Sequence, residues 1–185
     1  EARSLGSFEG MEDRTITLNG FSKAYAMTGW RLGYYAAPED LVSQSGKIHG
    51  HSVTCAVNFV QHAGVEALEN TDAAVEEMRS AFESRRDMLV DLFAEYGKDV
   101  ATPDGAFYLM VPVREDDSEA RSASSQSSGD QPRDVAWAEE AIDRAHVATV
   151  PGSAFGAPGY VRLAYANDED RLREGVERLA ENDLL

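Results

Sequence analysis

Two short apolar runs bracket a turn-rich loop between Thr15 and Pro38, and no other stretch constrains this chain as much. In TITLN, Ile16 and Leu18 alternate with threonines, and RLGYYAA is a second short run, so both read as strands. The loop between them carries Lys23 beside Ser22, with small neighbours at Ala24 and Ala26. Gly20 and Gly29 permit backbone angles closed to other residues. Such a loop suits a buried amine with a ligand held close to the backbone.

A lysine in a site either carries a point charge to phosphate or, once deprotonated, attacks a carbonyl to form a Schiff base. The second task needs a lowered pKa. Arg31, eight residues on, supplies a fixed cation that would disfavour a second charge on Lys23 and could fork onto a phosphate together with Ser22. A phosphorylated ligand bearing a carbonyl satisfies all three side chains, and pyridoxal 5'-phosphate is such a ligand. A surface lysine and arginine beside a turn is the plain alternative for a lone Ser-Lys pair.

The contiguous run GFSKAYAMTGWRLGY resembles the lysine segment of class I/II aminotransferases, the aspartate-aminotransferase-like branch of fold-type I pyridoxal-phosphate enzymes. The resemblance implies that Lys23 is the Schiff-base and catalytic residue and that Ser22 and Arg31 hold the cofactor phosphate. It also implies an α/β pyridoxal-phosphate-dependent transferase fold. Residues 1–70 would be the carboxyl-terminal part of the large, cofactor-binding domain, and 71–185 a small carboxyl-terminal α/β domain.

Charge narrows the partners. Asp and Glu number 33 against 17 Lys and Arg, a formal net charge of −16, and the only lysines are Lys23, Lys47 and Lys98. Nucleic acid and anionic membranes are therefore excluded as partners. With 43% hydrophobic residues the chain is expected to fold, and an acidic, lysine-poor surface resembles those of salt-loving organisms. No apolar leader opens the chain and no apolar run approaches a membrane span, so a cytoplasmic protein is expected. It begins Glu1-Ala2-Arg3 and reads as cut from something longer. A single Cys55 allows no intrachain disulfide.

Along the chain, Pro38-Glu39-Asp40 opens a short helix towards Lys47. His49-Gly50-His51, with Cys55 and His62 downstream, is a poor metal set because no Asp or Glu is suitably spaced, so no metal is expected. Val57 to Leu68 reads as a buried helix, and Thr71 as the N-cap of a long one ended by Gly97. That long helix carries an apolar stripe of Val75, Met78, Phe82, Leu89, Leu92 and Tyr96. A turn at Thr102–Gly105 precedes a strand from Ala106 to Val113. Residues 115–133, serine-rich and acidic, read as a mobile insertion. Asp134 is expected to cap a helix with Ala138, Ala141, Ile142 and Ala145 on its apolar face. YVRLAYAN is a strand carrying Arg162, and Asn167 starts the last helix, docked by Leu172, Val176, Leu179 and Ala180.

The resemblance extends through these elements. SVTCAVNFVQHAGVEAL is similar to the segment that follows the lysine loop in the family, and PDGAFY to an element whose glycine and aromatic, here Gly105 and Phe107, line the substrate entrance. VPGSAFG and the strand after it resemble the segment holding an arginine that binds the amino-acid carboxylate, here Arg162. Only the carboxyl-terminal half of a family member is matched, and the residues that elsewhere contact the cofactor ring have no counterpart. The implied activity is transfer of an amino group between an amino acid and a 2-oxo acid by a homodimer. A related β-eliminating lyase, or a non-catalytic truncated piece or binding protein, stays open at this point.

Overall fold

The computed structural model describes residues 3–113 and 131–185. The chain forms two compact units, one ending at Met78 and one beginning at Arg79. The insertion expected at 115–133 lies outside the described residues except at its last three positions.

The first unit is built on a hairpin. Strands β1 (Thr17–Gly20) and β2 (Gly33–Ala36) pair antiparallel, with Leu18 opposite Tyr35 and Gly20 opposite Gly33. Helix α1 (Glu39–Ser52) begins after Pro38 with two acids in its first turn. It continues past the expected stop near Lys47, through Gly50, because no proline interrupts it and glycine weakens a helix without ending it. Helix α2 (Asn58–Asn70) turns small residues inward: Gly64 and Ala67 are buried, and a Cβ at Gly64 would lie 2.5 Å from Leu32. That close approach admits Phe21, which packs with Met27, Ala67, Leu32 and Ala63 as the core of this unit.

Helix α3 (Asp72–Glu95) runs on into the second unit. Thr71 stands at its N-cap position, with its carbonyl accepting from the Val75 amide, but its hydroxyl does not cap the helix. That hydroxyl instead donates back to the Ala67 carbonyl at 2.6 Å, because α2 ends immediately before it. Gly97, with φ at 72°, ends the helix, and the Lys98 amide closes the turn on the Phe93 carbonyl.

The second unit has one antiparallel sheet in the order β3-β5-β4, made of β3 (Tyr108–Pro112), β4 (Val150–Pro151) and β5 (Tyr160–Ala164). Leu109, Val111 and Val161 point from it into a core shared with Leu89, Leu92 and Phe93 of α3. Helices α4 (Arg133–Ala145) and α5 (Glu169–Glu181) contribute Trp137, Ala141, Val176 and Leu179. Three details differ from the sequence reading. Asp134 lies inside the first turn of α4 rather than capping it, and is 1% exposed because it bonds a distant turn. Ile142, assigned to the apolar face, is 49% exposed, since Trp137 and the alanines already fill the space against the sheet. The last helix takes Asp168 as its N-cap residue, and the Asn167 side chain accepts a hydrogen bond from the Asp168 amide. Among the described residues no helix is long and apolar enough to cross a membrane.

Candidate active site

The loop between β1 and β2 is held by its own hydrogen bonds. The Met27 amide bonds the Phe21 carbonyl, and the Ala26 amide bonds the carbonyl of Lys23. Phe21 and Met27 are buried as anchors, Tyr25 packs beside Phe21, and Lys23, Ala24 and Ala26 are turned outward. Lys23, expected to be a buried amine, is accordingly exposed, and Ser22 is half-buried.

Thr28 joins the ends of this loop. Its hydroxyl donates to the Ser22 carbonyl at 2.8 Å, and its own carbonyl accepts from Arg31 Nη1 at 3.0 Å. Arg31 has φ at 55°, in the left-handed region that non-glycine residues seldom occupy. Ala26 (φ 54°) shares that conformation in the same loop, as does Ala106 (φ 64°) between Gly105 and Phe107. Such backbone persists where the surroundings over-determine it, which is common at binding sites. Among the described residues Arg31 makes no ion pair and the Ser22 hydroxyl has no partner. One loop thus presents an amine, a hydroxyl and a guanidinium, the donor set a phosphorylated carbonyl compound calls for.

In the second unit the geometry centres on Arg162. It lies on β5 opposite Met110 of β3 and Val150 of β4, while its neighbour Val161 is fully buried on the other face. Its guanidinium carbon lies 4.1 Å from the centre of the Tyr108 ring and 3.9 Å from that of Phe155. No carboxylate among the described residues pairs with it.

Gly105 and Phe107 are placed by bonds that sequence alone did not reveal. Arg86 of α3 donates to the Pro103 carbonyl, the Tyr165 hydroxyl donates to the Ala106 carbonyl, and the Tyr165 amide donates to the Phe107 carbonyl. Burial pushes the Tyr165 phenol above its ordinary pKa, so it stays a donor. Phe107 stacks on Phe82 with centroids 6.1 Å apart and lies 4.5 Å from the Tyr108 ring, so it belongs to the aromatic group that reaches Arg162. Gly105 is exposed, and a Cβ there would meet no atom within 4 Å. His49 and His51 sit on α1 and Cys55 after it, and among the described residues no three His, Cys, Asp or Glu side chains are grouped to hold a metal ion. Of the residues missed, Thr28 had a signal, since it stands inside the quoted loop motif. Tyr165 and Arg86 act across long sequence separations and had none.

A profile of the family described as "Aminotransferase class I and II" matches residues 3–179. A probable aspartate/prephenate aminotransferase of Aquifex aeolicus is 44% identical, over 89% of this chain and 40% of the relative. The aromatic-amino-acid aminotransferase 2 of Thermococcus litoralis is 40% identical, over 95% of this chain and 43% of that protein. Among solved structures, an aromatic aminotransferase from Pyrococcus horikoshii superposes with a TM-score of 0.84 at 39% identity, covering 100% of this chain and 48% of the other. Aspartate aminotransferase from Thermus thermophilus with maleate gives 0.77 at 36%, over 92% and 41%. The chain therefore spans less than half the length of these relatives. Its fold is that of the α/β, fold-type I pyridoxal-phosphate-dependent enzymes. By the match over residues 3–179, with the lysine loop and the arginine strand both inside it, the chain belongs to the class I and II aminotransferase family.

Proposed function

We propose that this chain is the carboxyl-terminal portion of an aminotransferase that moves an amino group between an amino acid and a 2-oxo acid. The observation that carries this reading is the loop on which Lys23, Ser22 and Arg31 are presented together and braced through Thr28. The family is pyridoxal-phosphate-dependent. The residues fit that cofactor, because a hydroxyl and a guanidinium without acidic partners match a phosphate, and a primary amine on the same loop matches a carbonyl.

In this assignment Ser22 and Arg31 hold the phosphate. When bound, pyridoxal phosphate supplies an electrophilic carbonyl and an electron-withdrawing ring that stabilises negative charge at a substrate α-carbon. Lys23 Nζ would be the amine that holds the carbonyl and, when free of it, the base that takes the α-proton. Arg162 takes the α-carboxylate, and Gly105 and Phe107 line the approach. Relatives named for aspartate and for aromatic amino acids share that α-carboxylate, so both kinds of donor belong in the assay. Residues 1–70 are assigned to the large domain and 71–185 to the small one. The rest of the reading is a cytoplasmic, salt-adapted homodimer: the single free Cys55 agrees with a reducing compartment, the net charge of −16 supports the salt adaptation, and the homodimer follows from the family resemblance.

The test is chemical trapping. The chain is incubated with pyridoxal phosphate, reduced with borohydride and peptide-mapped, and the pyridoxyl mass is expected on Lys23. A label on Lys47 or Lys98 with Lys23 unmodified sinks the assignment. In the complete protein, an amino acid plus a 2-oxo acid should give the exchanged pair, whereas release of ammonia would mark a lyase.

A further inference from the structure

Phe155 belongs to a short 3-10 turn, Gly152–Phe155, that follows β4, and this turn is packed against its own return. A Cβ at Gly152 would lie 2.2 Å from the Ala157 carbonyl oxygen and 2.6 Å from that of Tyr160, so backbone fills all the space there. The anchor of the turn is remote in sequence. The Ser153 amide donates to Asp134 Oδ2 at 2.6 Å, and Asp134 is itself 1% exposed in the first turn of α4. A carboxylate out of water is costly unless it is bonded, so its placement under this turn is specific. Burial would push the Asp134 pKa up, but the Ser153 amide bonded to it, with the Ser153 hydroxyl and the Asp134 and Gly159 amides nearby, outweighs that cost and holds the group below its ordinary range. Asp134 thereby holds, at Ser153, the turn that delivers Phe155.

The two rings at Arg162 come from opposite neighbours of β5. Tyr108 is on β3, and Phe155 follows β4. Aromatic faces attract a guanidinium but take none of its N–H donors, so rings on its flanks leave those donors for a planar ligand.

We propose that Asp134 is a positioning residue for carboxylate recognition: it pins the Gly152–Phe155 turn so that Phe155 and Tyr108 hold the Arg162 guanidinium with its N–H edge presented to a carboxylate. This rests on the reading of Arg162 as the carboxylate residue, and the experiment separates the two. The isotopically labelled 185-residue chain is titrated with succinate while the Arg162 side-chain resonances are followed by NMR, assigned through Arg162→Lys. Ring currents should displace those resonances upfield in the parent, and succinate should move them. Phe155→Leu, at a ring that is 49% exposed, should reduce the upfield displacement and weaken succinate roughly two- to five-fold. Asp134→Ala should do both with Phe155 still present, and Asp134→Asn, which keeps an acceptor, should fall between it and the parent. A merely structural role would lower the melting temperature and leave the Arg162 shifts and succinate affinity unmoved. If Asp134→Ala does not fold, the step from parent to Asp134→Asn is read in the same direction. Variants that fold and respond like the parent overturn the positioning role alone. A parent whose Arg162 ignores succinate overturns the carboxylate reading and this proposal with it.

Discussion

Thr28 makes two bonds that neither Ser22 nor Arg31 makes for the other, one from its hydroxyl and one to its main-chain carbonyl. Only the first depends on the side chain. Thr28→Val keeps the shape and the Arg31 contact but removes the bond to the Ser22 carbonyl, so it isolates that bond. A net hydrogen bond is worth about 1 kcal/mol, so cofactor affinity should fall about five-fold, measured by titrating absorbance. An unchanged dissociation constant would show that the loop is braced elsewhere. Asp134 makes a separate residue-scale prediction through pH. Its folded pKa is depressed, so the stability it contributes is complete above the unfolded value near pH 4 and is lost as pH falls through the folded one. Acid titrations of Asp134→Asn followed by Trp137 fluorescence should therefore show a shallower loss of stability below about pH 4 than the parent. Equal slopes would mean that the carboxylate is not held in its charged form.

Among elements, α3 is the most instructive. Its 3/4 stripe places Leu89 and Leu92 in the core correctly, yet Tyr96 is 39% exposed, and the residue with no exposure is Phe93, which the stripe omits. The helix meets a sheet on a surface wider than one stripe, and Tyr96 already lies past the helix end at Glu95. Truncating a fully buried aromatic removes both transfer energy and contacts, so Phe93→Ala should cost about 3–5 kcal/mol, while Tyr96→Ala should cost under about 1 kcal/mol. Urea unfolding resolves these values. Comparable losses at both positions would contradict the burial pattern.

For the whole molecule, charge and exposed apolar surface act together. The first unit leaves Leu18, Ile48 and Phe59 at 76%, 69% and 67% exposure. The net charge of −16 opposes compaction, and its range shrinks from about 10 Å at 0.1 M salt to about 3 Å at 1 M. Melting temperature should rise over that interval, as followed by circular dichroism. A flat or falling profile removes the salt-adapted reading.

Local chemistry by itself determined the hairpin that brackets Lys23, the start of α1 after Pro38, the stop at Gly97 and the alternation that sets Val161 against Arg162. Each depends on residues a few positions apart and on backbone angles those residues prefer. The tertiary structure alone decided that Lys23 faces outward, that Asp134 serves a turn 19 residues away rather than its own helix, and that Tyr165 holds the Ala106 carbonyl across 59 residues. In each case a side chain's partner is chosen by which elements pack together, and a buried polar group takes whichever donor or acceptor that packing brings within reach.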